Sequence, residues 1–236
     1  KSVRQGAFEA SVPTIIGPVS SKEIRMPLDW KSAQQFTNNP LKITLPGPMT
    51  ITDSIANNYY DDPKKLGFDL ALALNKDVKA LVEAGCKYIQ IDEPVFARKP
   101  DEANSYGMEN LERTMHGIPK DVQRVCHICC GYPNSLDSKG YKKADLDAYD
   151  RIATLVDEST IDEVSLEDSH RHNNLRLLEK FKKTKVIFGF IDIARSRMES
   201  IEEVRVRIKD SLDHIDEHRL IAAPDCGLGF FSREQA

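Results

Sequence analysis

Residues 63–94 read PKKLGFDLALALNKDVKALVEAGCKYIQIDEP. Leu66, Leu70, Leu74, Val78, Leu81 and Val82 recur at helical spacing and share one face, which predicts an amphipathic helix over 63–84. Asp62 stands as its N-cap, Pro63 suits its first position, and Gly85 lies where a C-cap glycine ends a helix. The chain turns at once into a short apolar run, 87–92, that stops at Asp-Glu-Pro. A helix feeding directly into a strand that ends in polar residues is half of a parallel βα unit.

Outward from this segment the alternation repeats. Apolar runs at 12–17, 42–45, 122–129, 161–167, 185–192 and 219–224 are mostly rich in Val and Ile, and each stops at Gly, Pro, Asp, Glu or Cys. Helical patterns at 141–157, 173–182 and 198–218 lie between them, the last opening with Glu199, Glu202 and Glu203 at the positive end of its dipole. A doubly wound open sheet would want a G-x-G-x-x-G turn, which the sequence lacks. The expected fold is α/β, a (β/α)8 TIM-type barrel, with seven strand candidates in hand and the first strand upstream of Lys1. With no repeat or linker, residues 1–236 are expected to form a single catalytic barrel domain.

Composition narrows the function. The net charge is −4 and Lys and Arg form no block that would follow a phosphate backbone, so no nucleic-acid partner is expected. No apolar run approaches the ~20 residues that cross a bilayer, and the opening Lys-Ser-Val-Arg-Gln-Gly is no signal peptide; no membrane contact and a cytoplasmic location are expected. Cys86, Cys126, Cys129, Cys130 and Cys226 are odd in number and three are crowded together, a poor disulfide framework. Clustered Cys beside His points instead to metal or catalytic chemistry.

Barrel enzymes collect their sites at the carboxyl ends of several strands. In 125–131, VCHICCG, His127 and Cys129 are two apart on an extended strand and project to one face, a two-ligand clip; Cys126, Ile128 and Cys130 turn the other way. In 162–170, DEVSLEDSH, Glu167 closes an apolar run, with His170 and His172 as rival ligands beyond the strand. In 223–229, APDCGLG, Cys226 is placed for access, and with His127 and Cys129 it makes an N/S set that suits Zn²⁺ better than Mg²⁺ or Ca²⁺. Asp92 and Glu93 are adjacent acids at a strand end, candidates to hold a cationic substrate group; the competing reading has one of them capping a helix or pairing with Arg.

Taken in order, H-x-C, a strand-end Glu and D-C-G resemble the catalytic domain of cobalamin-independent methionine synthase, within the zinc-dependent thiol alkyltransferases. The resemblance spans most of the chain, through Pro13-Thr-Ile-Ile-Gly-Pro-Val-Ser, Leu45-Pro-Gly-Pro-Met-Thr-Ile, Ile89-Gln-Ile-Asp-Glu-Pro, His127-Ile-Cys, Ser165-Leu-Glu and Pro224-Asp-Cys-Gly-Leu. It implies zinc held by His127, Cys129, Glu167 and Cys226, and Asp92 against the amino group of a thiol such as homocysteine, which takes a methyl group to give methionine. Glu167 is the hardest of the four donors and the one expected to yield when substrate sulfur arrives. The chain departs from the pattern in three ways. The family's first strand lies upstream of Lys1. Ala194 follows Asp192-Ile193 where the family carries a proton-donating His, and Thr50-Ile-Thr-Asp-Ser lacks the aromatic residue that meets folate, Tyr59 and Tyr60 coming only later. The methyl donor, methylfolate or a corrinoid carrier, therefore stays open, and the shorter relatives are the better likeness. Two other readings share the ligand pattern: an epoxide–thiol transferase of the coenzyme M type, which would want Arg or Lys where Asp92 stands, and a non-catalytic, closed zinc site.

Overall fold

Six parallel strands form one sheet in a computed structural model that describes residues 1–3, 8–131 and 133–236. They are β1 (Lys42–Pro46), β2 (Tyr88–Asp92), β3 (Gln123–Ile128), β4 (Glu163–Leu166), β5 (Lys185–Ile191) and β6 (Leu220–Pro224). Each pairs with the strand before it, so the spatial order equals the chain order. A doubly wound sheet reverses its order at a switch point; this one winds one way, as a barrel does. Among the described residues β1 and β6 are the two edges.

The helix that sets this alternation, α1 (Pro63–Glu83), runs as expected. Asp62 accepts from Lys64 N, and Gly85 takes φ +104°, a conformation that favours glycine. Its buried face includes Leu66, Leu70, Val78 and Leu81, and the main core it joins contains Ile89, Ile91, Cys126, Ile128, Val164 and Phe188. Ile89, Ile91, Ile128 and Val164 are fully buried, each stabilising the sheet by roughly 1.5–3 kcal/mol.

Several expectations are corrected. Residues 12–17 are not a strand of the sheet: only Thr14–Ile15 is extended, paired with Ala56–Asn57, and Ile16 stays exposed. Pro13 and Pro18 flank it, removing donors from a longer ladder. The helix expected from Tyr141 begins at Ala148, because tertiary contacts claim the backbone before it. Ala144 N donates to Cys130 O at 2.7 Å, Arg98 Nη2 donates to Lys142 O at 2.8 Å, and Arg171 donates to Ala144 O. The helix expected over 198–218 is Ile201–Leu212, started by a capping box between Ser200 and Glu203, and 173–182 is a 3₁₀ helix, Leu175–Lys180. Helices at Met26–Gln34, Pro48–Ser54 and Met108–Thr114 were not foreseen. No described helix is long and apolar enough to cross a membrane.

Candidate metal centre at the carboxyl rim

Register assembles the site. Asp92 lies opposite His127, and His127 opposite Ser165, so three polar side chains share one row across β2, β3 and β4 at their carboxyl ends. Cys129 follows β3 by one residue, Glu167 follows β4 directly, and Cys226 follows β6 by two. Ligand atoms of His127, Cys129, Glu167 and Cys226 all lie within 4.8 Å of one another. The four residues expected from the sequence are thus brought together from three strand ends.

The donor groups at this point are of the kinds that hold a cation. His127 Nε2 is 3.4 Å from Cys226 Sγ, and its Nδ1 is 2.9 Å from Ser165 Oγ. A tetrahedral ion with bonds of about 2.0–2.3 Å holds neighbouring donors roughly 3.5 Å apart, which matches the first distance. Glu167 is fully buried; its Oε2 accepts from Cys130 N at 2.6 Å, while Oε1 has no hydrogen-bond partner among the described residues. An orphaned carboxylate oxygen in a dry site is costly, and burial pushes the Glu167 carboxyl above its ordinary range, with His170 and His127 opposing. The hydrogen bond from Cys129 holds the Cys226 thiol well below its usual range, and the same bond, joined by burial, holds Cys129 above it. One nitrogen, two sulfurs and a carboxylate fit a thiophilic divalent ion rather than Mg²⁺ or Ca²⁺.

The two acids of β2's end part company. Asp92 is half-buried beside His127, takes a 2.8 Å hydrogen bond from Gln90 Nε2, and is raised above its ordinary range mainly by burial. Glu93 is fully buried and accepts from Met49 N (3.0 Å), Thr50 N (2.9 Å) and Thr50 Oγ1 (2.7 Å). It anchors the amino end of the helix Pro48–Ser54, and a Cβ on Gly47 would meet its Cδ at 2.2 Å. Both Glu93 oxygens accept hydrogen bonds from Met49 and Thr50, which is the helix-capping alternative raised for this pair of acids.

Other residues the sequence reading passed over hold the rim in place. The Tyr149 hydroxyl donates to Ile128 O at 2.7 Å and accepts from Glu167 N at 3.3 Å, tying the ends of β3 and β4. Asp225 is fully buried and accepts from Asp168 N, Ser169 N, His170 N and His170 Nδ1, each at 2.8 Å. A Cβ on Gly189 would meet Asp225 Oδ1 at 2.0 Å, so only glycine admits this contact. The D-C-G motif marks Asp225, but its four donors come from a loop about 55 residues away and leave no local signal. Of the rival histidines, His172 is exposed beside Asp168, whereas His170 is buried beside Glu167. Cys130 does not turn away as strand parity implied, because β3 ends at Ile128; its Sγ is 3.2 Å from His170 Nε2.

Fold and site define an α/β-barrel chain with a metal-competent His–Cys–Glu–Cys cluster at its carboxyl rim. The chain belongs to the family described as cobalamin-independent synthase, catalytic domain, whose model matches residues 5–236. It is 33% identical over 224 residues to a methionine synthase of Thermococcus kodakarensis, covering 92% of this chain and 61% of that protein. It is 34% identical over 203 residues to one of Saccharolobus islandicus, covering 85% and 55%. The chain therefore spans only 55–61% of the length of these curated relatives. A solved B12-independent methionine synthase from Shewanella sp. W3-18-1, in complex with selenomethionine, superposes with TM-score 0.89 at 33% identity, over 99% of this chain and 68% of that one. A putative vitamin-B12 independent methionine synthase from Listeria monocytogenes shares the fold, with TM-score 0.73 at 23% identity over 91% of this chain and 66% of that one.

Proposed function

We propose that this chain is the catalytic core of a zinc-dependent methyltransferase that methylates the thiol of homocysteine to give methionine. The observation that carries it is the convergence of His127, Cys129, Glu167 and Cys226 beside Asp92, with a buried carboxylate oxygen left unpaired. The relatives named methionine synthase, and the selenomethionine bound by the Shewanella protein, support the same acceptor. The chain's five free cysteines fit a reducing cytoplasm.

His127, Cys129, Glu167 and Cys226 would hold the ion. When bound, zinc supplies the Lewis acidity that keeps a substrate thiol as thiolate at neutral pH. Ser165 fixes the His127 ring through Nδ1, leaving Nε2 toward the cluster. Asp92, one strand away in the same row, receives the substrate ammonium by a charge-assisted hydrogen bond and so aims the sulfur. Glu167, the hardest of the four donors, is the one that would give way to a substrate sulfur. At the end of β5, Ala194 has no proton to give a departing amine. A corrinoid-type methyl, whose carrier leaves without protonation, therefore suits the site better than methylfolate. The test is methionine formation from homocysteine by the metal-stripped protein before and after zinc is restored. Zinc-dependent turnover is expected; no turnover with any methyl donor overturns the reading.

A further inference from the structure

We infer that Cys130, His170 and Glu167 form a second position for a thiophilic divalent cation, adjoining the first and sharing its carboxylate. Cys130 Sγ lies 3.2 Å from His170 Nε2, and that nitrogen lies 3.9 Å from Glu167 Oε2. Ligand atoms of the three residues are all within 4.8 Å of one another. These two separations bracket the roughly 3.5 Å edge of a tetrahedral zinc site. Cys130 is 1% exposed, the His170 side chain 2% and the Glu167 side chain 0%. Cys130 packs in the apolar core, as many buried cysteines do, but its sulfur also faces an imidazole nitrogen and lies within 4.8 Å of a carboxylate oxygen.

The histidine is oriented as metal-binding histidines are. Asp225 Oδ2 takes both the backbone N and Nδ1 of His170 at 2.8 Å, which places the proton on Nδ1 and leaves the Nε2 lone pair toward Cys130. Asp225 in turn is held by the Asp168 and Ser169 amides, so the ring has little freedom. Glu167 is the hinge between the two positions: its Oε2 lies on the Cys130 side, and Oε1 has no hydrogen-bond partner among the described residues. Three protein donors leave a fourth tetrahedral position open, the arrangement of an accessible rather than a closed site. His170 also borders a cavity of about 500 Å³ whose lining includes Lys139, Tyr141, Lys143, Asp192, Ala194 and Arg195. Thiolate, imidazole and carboxylate together select Zn²⁺ or Cd²⁺ over Mg²⁺.

The inference stands on this cluster and not on the proposed methyl transfer. Its test is a Cd²⁺ titration of the metal-free, full-length protein, followed by thiolate-to-metal absorbance and by elemental analysis of the desalted protein. Two equivalents are expected for the wild type, and one for Cys130→Ser and for His170→Gln, with circular dichroism confirming the fold of each. Should Cys130→Ser not fold, His170→Gln decides the matter, because it leaves the thiol in place. Uptake that survives Cys226→Ser but falls with Cys130→Ser would support this site while sinking the first. One equivalent in the wild type, with absorbance unchanged in Cys130→Ser and uptake unchanged in His170→Gln, overturns the inference.

Discussion

His127 Nε2 lies 3.4 Å from Cys226 Sγ although 99 residues separate them in the chain. The contact joins the end of β3 to the loop after β6, across the intervening β4 and β5. Cys226→Ser should remove the ion held with His127, measured as the loss of one metal equivalent from a folded protein. Cys126→Ser should remove none, since Cys126 sits fully buried in the apolar core. Retention of that equivalent in Cys226→Ser would contradict the ligand set.

Ser165 meets the site through its hydroxyl, 2.9 Å from His127 Nδ1. Outer partners of this kind usually change metal affinity by roughly 10- to 100-fold when removed. Ser165→Ala should weaken zinc binding by that order in a chelator competition assay while leaving the stoichiometry intact. An unchanged affinity would show that the ring is held by packing alone.

Asp92 separates substrate binding from metal binding. A hydrogen bond to a charged group contributes about 1.5–3 kcal/mol, so Asp92→Asn should lower kcat/KM for homocysteine by roughly 10- to 100-fold. Zinc content should not move, because Asp92 lies in the row beside His127 without being among the four converging ligands. A variant that loses zinc and activity together would make Asp92 part of the metal site.

Glu93 gives a pH signature of its own. Burial raises its carboxyl from 4.5 to about 7, against the hydrogen bonds from Thr50 and Met49. The folded state then binds a proton more tightly than the unfolded chain, so this group's contribution to stability is greatest below about 4.5 and is lost as pH rises through about 7. Urea midpoints measured from pH 5 to 8 should fall less steeply in Glu93→Gln than in the wild type. The variant should also be less stable near pH 8 by roughly 1–3 kcal/mol, because its amide NH₂ would face backbone donors. Parallel pH profiles would remove Glu93 as the cause.

The periodicity of α1, its caps and the strand after it were legible because they are local: Leu66 to Leu81 and Gly85 carry their own spacing and backbone signals. His127, Cys129 and Cys226 were legible because side-chain chemistry and strand ends coincide, whereas Glu167, with His170 and His172 as rivals, entered the set through the family resemblance. What the sequence could not show is long-range. Whether Asp92 or Glu93 faced the rim depended on the amide groups of Met49 and Thr50, more than 40 residues earlier. Parity failed for Cys130 because β3 stops two residues short of it. Residues 12–17 looked like a strand by composition, yet their partner is the two-residue Ala56–Asn57 rather than the sheet.

The choice of methyl donor turns on the end of β5. Ala194 N donates to Asp192 Oδ1 at 2.7 Å, and both residues line the cavity that His170 borders. A methyl side chain there cannot protonate a folate amine as it leaves, whereas a corrinoid carrier departs without a proton. With homocysteine and restored zinc, methylcobalamin should therefore be used at least about tenfold faster than methylfolate, a difference of roughly 1.4 kcal/mol in barrier. Ala194→His would place an imidazole beside the Asp192 carboxylate, and the cavity of about 500 Å³ has room for it. This variant should raise methylfolate turnover selectively, with a pH dependence near neutrality that the wild type lacks. Efficient methylfolate turnover by the wild type would defeat the donor argument, and so would an Ala194→His variant that folds and binds zinc but gains nothing.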